Sequence, residues 1–117
     1  ERMALQKKNF QKPDEAQNPP NVRIENIKIG DMTVSKQTYQ PGWQWSTHIK
    51  PLAGTNSCQM HHFGVWVSGR MRVRMDDGQE MEIGPGDVTD IPPGHDGWVV
   101  GNEPAIFYAF MSKPNPK

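Results

Sequence analysis

The chain predicts an all-β fold in one domain, and three observations lead there. Eleven Gly and eleven Pro among 117 residues interrupt it too often for long helices. Short runs alternate apolar with polar side chains, as in Met71, Val73 and Met75 against Arg70, Arg72 and Arg74. Turn signals separate these runs, at Gly30-Asp31, Pro41-Gly42, Asp77-Gly78 and Gly84-Pro85-Gly86. About eight or nine short antiparallel strands result, and a sheet of that size protects its edges by closing or doubling. The length suffices for one core but not for two.

Residues 1–20 are polar and end at Pro19-Pro20, with no apolar period to hold them in a sheet, so they read as an extended arm, packed on the body or on a neighbouring subunit where ordered. The barrel spans residues 21–112. In its first strand the apolar phase shifts by one between Val22, Ile24 and Ile27, Ile29, as a bulge or turn would cause. Met32 to Gln40 is the next strand, with Met32, Val34 and Tyr39 as its apolar positions. Residues 43–50 also alternate, Trp43, Trp45, Thr47 and Ile49 against Gln44, Ser46, His48 and Lys50, and predict a strand; no helix is expected anywhere.

Residues 58–68 are rich in β-formers. Adjacent His61 and His62 must point to opposite faces there, and parity groups His62 with Met60, Gly64 and Trp66. Across the Asp76-Asp77-Gly78 hairpin, Glu80 and Glu82 can lie opposite the three arginines, which favours cross-strand ion pairs over a phosphate site. Met81 and Ile83 continue the alternation, and Val88 to Ile91 follows as a short strand. It stops at Pro92-Pro93-Gly94, a turn that delivers His95 and Asp96. Trp98 to Val100 and Ala105 to Phe110 complete the sheet, and residues 113–117 are a polar, Pro-rich tail.

Charge and cysteine usage bound the function. Thirteen basic and thirteen acidic side chains cancel, and no basic block offers an electrostatic footprint for nucleic acid or an anionic membrane. No apolar run approaches a membrane span, and residues 1–20 hold no signal-peptide core. The single cysteine, Cys58, excludes an internal disulfide, so a cytoplasmic location is expected.

Placed in this order, residues 29–110 resemble the cupins, small jelly-roll barrels whose fold is a double-stranded β-helix. One cupin motif starts near Pro-Gly, presents His-x-His and then Glu, and closes on Gly. Counted from Pro41-Gly42, His48 takes the first His position and Lys50 the second; counted back from Gly69, His62 takes the place of the Glu. The other motif is framed by Gly86, five residues, then Pro92-Pro93-Gly94, with His95 directly after that glycine and Gly97 where the motif has its His.

The resemblance implies that His48, His62 and His95 converge on one cavity and hold a divalent metal, Zn, Fe, Ni, Mn or Cu. Asp96 or Gln59 would orient a ring from behind, and Cys58 is either a fourth ligand or a small buried hydrophobe. Trp45, Trp66 and Trp98 are candidates for apolar cavity walls. The function implied is Lewis-acid or O2-dependent chemistry on a small organic molecule, of dioxygenase, isomerase or lyase type, with Lys50 or Gln59 orienting the ligand. A metal-free, non-catalytic small-ligand sensor is the alternative, and a structural dimerisation module with a filled interior is a third. A homodimer is expected, because residues 63–67 are apolar on both faces and the arm is available to swap.

Overall fold

A computed structural model of the chain describes residues 4–112. The described residues form nine strands in two antiparallel sheets that face each other. Strands β1 (Glu15–Gln17), β2 (Val22–Ile29), β3 (Met32–Tyr39), β4 (His62–Ser68), β7 (Val88–Ile91) and β9 (Ala105–Ser112) make the larger sheet, in the order β1-β2-β3-β9-β4-β7. Strands β5 (Arg70–Met75), β6 (Glu80–Ile83) and β8 (His95–Val100) make the smaller, in the order β6-β5-β8. Between them lies the core, with Phe107 and Ile83 each 1% exposed and Trp66, Met71 and Ala105 close by. Burying two such side chains is worth about 2–3 kcal/mol apiece. No helix among the described residues is long and apolar enough to cross a membrane.

The alternation read from β5 and β6 is borne out in their register. Arg72 pairs with Glu82 and Arg74 with Glu80. Arg70 Nε donates to Glu82 at 2.6 Å, and Arg72 contacts both glutamates. Arg70 and Arg72 thus serve as one side of a solvated ion-pair ladder, while Arg74 lies over the Trp98 ring. Gly78, at φ 96°, closes the hairpin with its amide on the Met75 carbonyl.

Four local expectations need correction. Residues 43–50 are not a strand: Trp45–His48 forms a helical turn, α1, and Lys50–Ala53 a second, α2. A remote carboxylate explains the change, since Asp96 Oδ1 accepts the Ser46 amide at 3.1 Å and satisfies one of the free donors at the start of α1. Secondly, the arm is not outside the sheet, for Glu15–Gln17 pairs with β2 as an edge strand. Backbone and charged groups secure it without an apolar period. Asp14 accepts the Lys28 amide at 2.8 Å, Lys28 Nζ meets Glu15 at 3.3 Å, and Phe10 lies edge-on to Tyr108 on the outer face.

Thirdly, β2 has no bulge. It pairs in continuous register from Val22↔Tyr39 to Ile29↔Met32, and its apolar residues change phase because Val22 faces the interior while Ile27 is buried on the outer side. Finally, residues 58–61 do not extend β4. Cys58 instead bridges to His95 on the smaller sheet, with its amide on the His95 carbonyl at 2.7 Å. Residues 1–3 and the tail, 113–117, lie outside the described residues.

Candidate metal centre and ligand cavity

Three side chains from separate segments meet on the inner wall. His62 begins β4 and points inward with Gly64 and Trp66, as parity required, while His61 is exposed and pairs with Asp90. His95 begins β8 directly after the Pro92-Pro93-Gly94 turn and is 5% exposed. Cys58 reaches the same place through its bridge to His95. One ligand atom from each of Cys58, His62 and His95 lies within 4.8 Å of the other two. The imidazoles sit edge to face, 5.2 Å between centroids, and Cys58 Sγ is 3.7 Å from His62 Nε2.

The environment prepares these groups as donors. Burial, reinforced by the neighbouring His95 and His61 rings, lowers the His62 pKa to about 4. Burial also lowers that of His95, against the opposing pull of the Pro92 carbonyl, Asp96 and Asp76. Both rings are therefore neutral near pH 7, the form that ligates a metal. His95 Nδ1 lies 2.8 Å from the Pro92 carbonyl; donating to it leaves Nε2 with a lone pair for coordination. Burial raises the Cys58 thiol, so binding a cation there releases a proton. Two imidazoles and a sulfur on one wall fit a divalent ion of borderline softness.

The sequence expectation is redistributed accordingly. His62 and His95 come together, but His48 does not join them. The helical turn that replaced the strand leaves its Nδ1 3.1 Å from the Gln44 amide and its Nε2 3.4 Å from Asn21 Nδ2, away from the cavity lining. Cys58 stands in its place. Lys50, at the exposed start of α2, does not line the cavity either. Gln59 is exposed, with its amide on Ser57 Oγ at 3.1 Å. Asp96 touches Gln44, Ser46 and Gly97 rather than a ring, and the Pro92 carbonyl does the orienting instead. Trp45 and Trp66 line the cavity as expected, whereas Trp98 lies under Arg74, 5.8 Å from its guanidinium.

Adjoining the cluster is a cavity of about 590 Å³. Its walls include Trp43, Trp45, Trp66 and Phe107, with the last two stacked at 4.3 Å. A buried polar strip on β3 also faces it: Tyr39 O–H donates to Gln37 Oε1, and Gln37 Nε2 donates to Ser35 Oγ at 3.2 Å. Sequence reasoning missed this strip. It took Val34 as an apolar marker of β3, but the inward residues are Ser35, Gln37 and Tyr39, polar groups that satisfy one another. The available signal was their spacing by two.

No protein-family model and no curated protein matches the chain. Solved structures do. The polyketide cyclase RemF from Streptomyces resistomycificus matches with a TM-score of 0.66 at 16% identity, over 97% of this chain and 83% of its own. KdgF from Halomonas sp. matches with a TM-score of 0.59 at 17% identity, over 86% and 88%. A cupin superfamily protein from Desulfitobacterium hafniense DCB-2 matches with a TM-score of 0.54 at 13% identity, over 84% and 83%. Identities this low speak for fold and not for activity. Two facing antiparallel sheets, an interior cavity and these neighbours together establish that the chain has the cupin fold.

Proposed function

We propose that this protein binds a divalent metal ion through Cys58, His62 and His95 and acts on a small organic molecule held in the adjoining cavity. The convergence of one sulfur and two imidazole donors within 4.8 Å, from three segments of chain, is the observation that carries this reading. The sulfur favours Zn, Fe(II), Ni or Cu over the harder Mn. When bound, such an ion supplies Lewis acidity. Around it the protein's own groups have defined tasks: the Pro92 carbonyl holds the His95 tautomer, and Trp66 and Phe107 keep water from the inner wall. Gln37 and Tyr39 orient the ligand, the role first assigned to Lys50 and Gln59. A reducing, cytoplasmic setting keeps the unpaired Cys58 competent as a ligand.

Metal content tests the reading. Protein purified without chelators is expected to carry about one equivalent of metal, and His62→Ala and Cys58→Ser are each expected to lose most of it. Zinc added to stripped protein should raise Tm by several degrees, as binding to the folded state alone requires. Absence of stoichiometric metal, with Tm unmoved by zinc, nickel and copper, refutes it.

One observation favours a second reading, a ligand sensor without chemistry. Among the described residues no Asp, Glu or Lys lines the cavity, its imidazoles being His61, paired with Asp90, and the two rings of the cluster, and burial pushes the Tyr39 phenol above its ordinary range. On that reading, variants that lose the metal bind the ligand as tightly as before. In either case the protein pairs as a homodimer through the outer face of the larger sheet, where Phe63, Val88 and Phe110 are 48%, 66% and 40% exposed.

A further inference from the structure

Apart from the ion proposed at the cluster, no acidic or strongly basic group faces the cavity. Among the described residues that line it there is no Lys, Arg, Asp or Glu, and its imidazoles are those of His61, His62 and His95. Its aromatic side is continuous: Tyr39 meets Trp43 at 4.5 Å and Trp66 at 6.2 Å, and Trp66 stacks on Phe107. Leu52, Met60 and Met111 also line it and are 71%, 59% and 37% exposed, so the lip is apolar as well. A volume of about 590 Å³ suits a molecule of several rings rather than a two-carbon or three-carbon acid.

The polar strip defines what such a molecule must carry. Gln37 has used its carbonyl to accept from Tyr39 and one amide hydrogen to donate to Ser35. Its second amide hydrogen, the Ser35 O–H and the lone pairs of the Tyr39 oxygen remain available. These are neutral donors and acceptors that match a hydroxyl or a carbonyl. A carboxylate or phosphate entering beside this strip would lose its hydration and find no cationic side chain, a cost far above that of a neutral hydroxyl.

On these grounds, and resting on the reading that the cavity holds a small organic ligand, we infer that the ligand is a neutral aromatic molecule bearing a hydroxyl or carbonyl group. Ser35, Gln37 and Tyr39 recognise that group, and in the absence of metal they select against anionic acids of the same size.

The test compares 2-naphthol with 2-naphthoate at pH 7.5, by calorimetric titration of the full chain after chelator treatment, so that no metal ion can recruit the anion. 2-Naphthol is expected to bind about tenfold or more tightly than 2-naphthoate. Gln37→Leu, checked for folding by circular dichroism, is expected to weaken 2-naphthol about tenfold and to leave 2-naphthoate unchanged. Equal or tighter binding of 2-naphthoate overturns the inference, as does failure of both probes to bind. The two readings fail separately: metal content of untreated protein decides the first, and the naphthol to naphthoate ratio in stripped protein decides this one.

Discussion

His62 shows how a single side chain ties the site to stability. Its ring titrates near 4 when folded and near 6.5 when free, so between those values the unfolded chain binds a proton that the native protein does not. The stability lent by the neutral ring is complete above about 6.5 and is lost as pH falls toward 4. The slope is about 1.4 kcal/mol per pH unit for this group. In chelator-treated protein the urea midpoint should fall through that window, and His62→Phe should flatten the fall. Equal pH dependence of the variant and the parent would show that burial does not hold the ring neutral. The neighbouring Cys58 was open in the sequence as either a fourth ligand or a small buried hydrophobe, and the sequence did not place it beside His62 and His95 in the stead of His48. Its partner His95 is 37 positions away, and only their bridge brings sulfur and imidazole together.

Among the elements, β4 and β9 are packed so closely that residue 64 has no room for a side chain. A Cβ on Gly64 would lie 2.0 Å from the Tyr108 carbonyl oxygen and 2.9 Å from Ala109 Cα, both backbone atoms that cannot swing aside. Gly64→Ala should therefore cost about 1–3 kcal/mol by forcing the strands apart. Gly97→Ala on β8 is the control. A Cβ there meets only ordinary contacts, 3.5 Å from the Arg72 carbonyl oxygen and 3.7 Å from Val73 Cγ2, so its denaturation midpoint should stay near that of the parent. If the two variants unfold alike, β4 and β9 are not in such close contact. The strands themselves were legible wherever one face is wet, as in β5 and β6. Helical turn α1 was not, because residues 43–50 alternate like a strand and the carboxylate that caps them, Asp96, is supplied by β8.

For the molecule as a whole, the proposed homodimer rests on the outer face of the larger sheet. Val65 pairs with Val88 and Tyr108, and Phe110 with Val34, so an apolar patch runs across four strands. Light scattering at micromolar concentration should give twice the chain mass. Phe63→Glu should return a monomer with its metal content intact, since Phe63 faces away from the cluster. A parent protein that is monomeric at that concentration removes the pairing. The arm, expected to be available for a swap, pairs here as β1 with the β2 of its own chain.

The sequence by itself determined the all-β class, the hairpin at Gly78, the ion-pair ladder and the inward direction of His62, all of which follow from period and turn chemistry over a few residues. Only the tertiary structure decided that Cys58 rather than His48 completes the cluster, and that a polar strip on β3 faces the cavity. Those outcomes depend on contacts between distant segments: a carboxylate that turns residues 45–48 into a helix, and a bridge that carries Cys58 across to the other sheet. Local alternation carries no information about either.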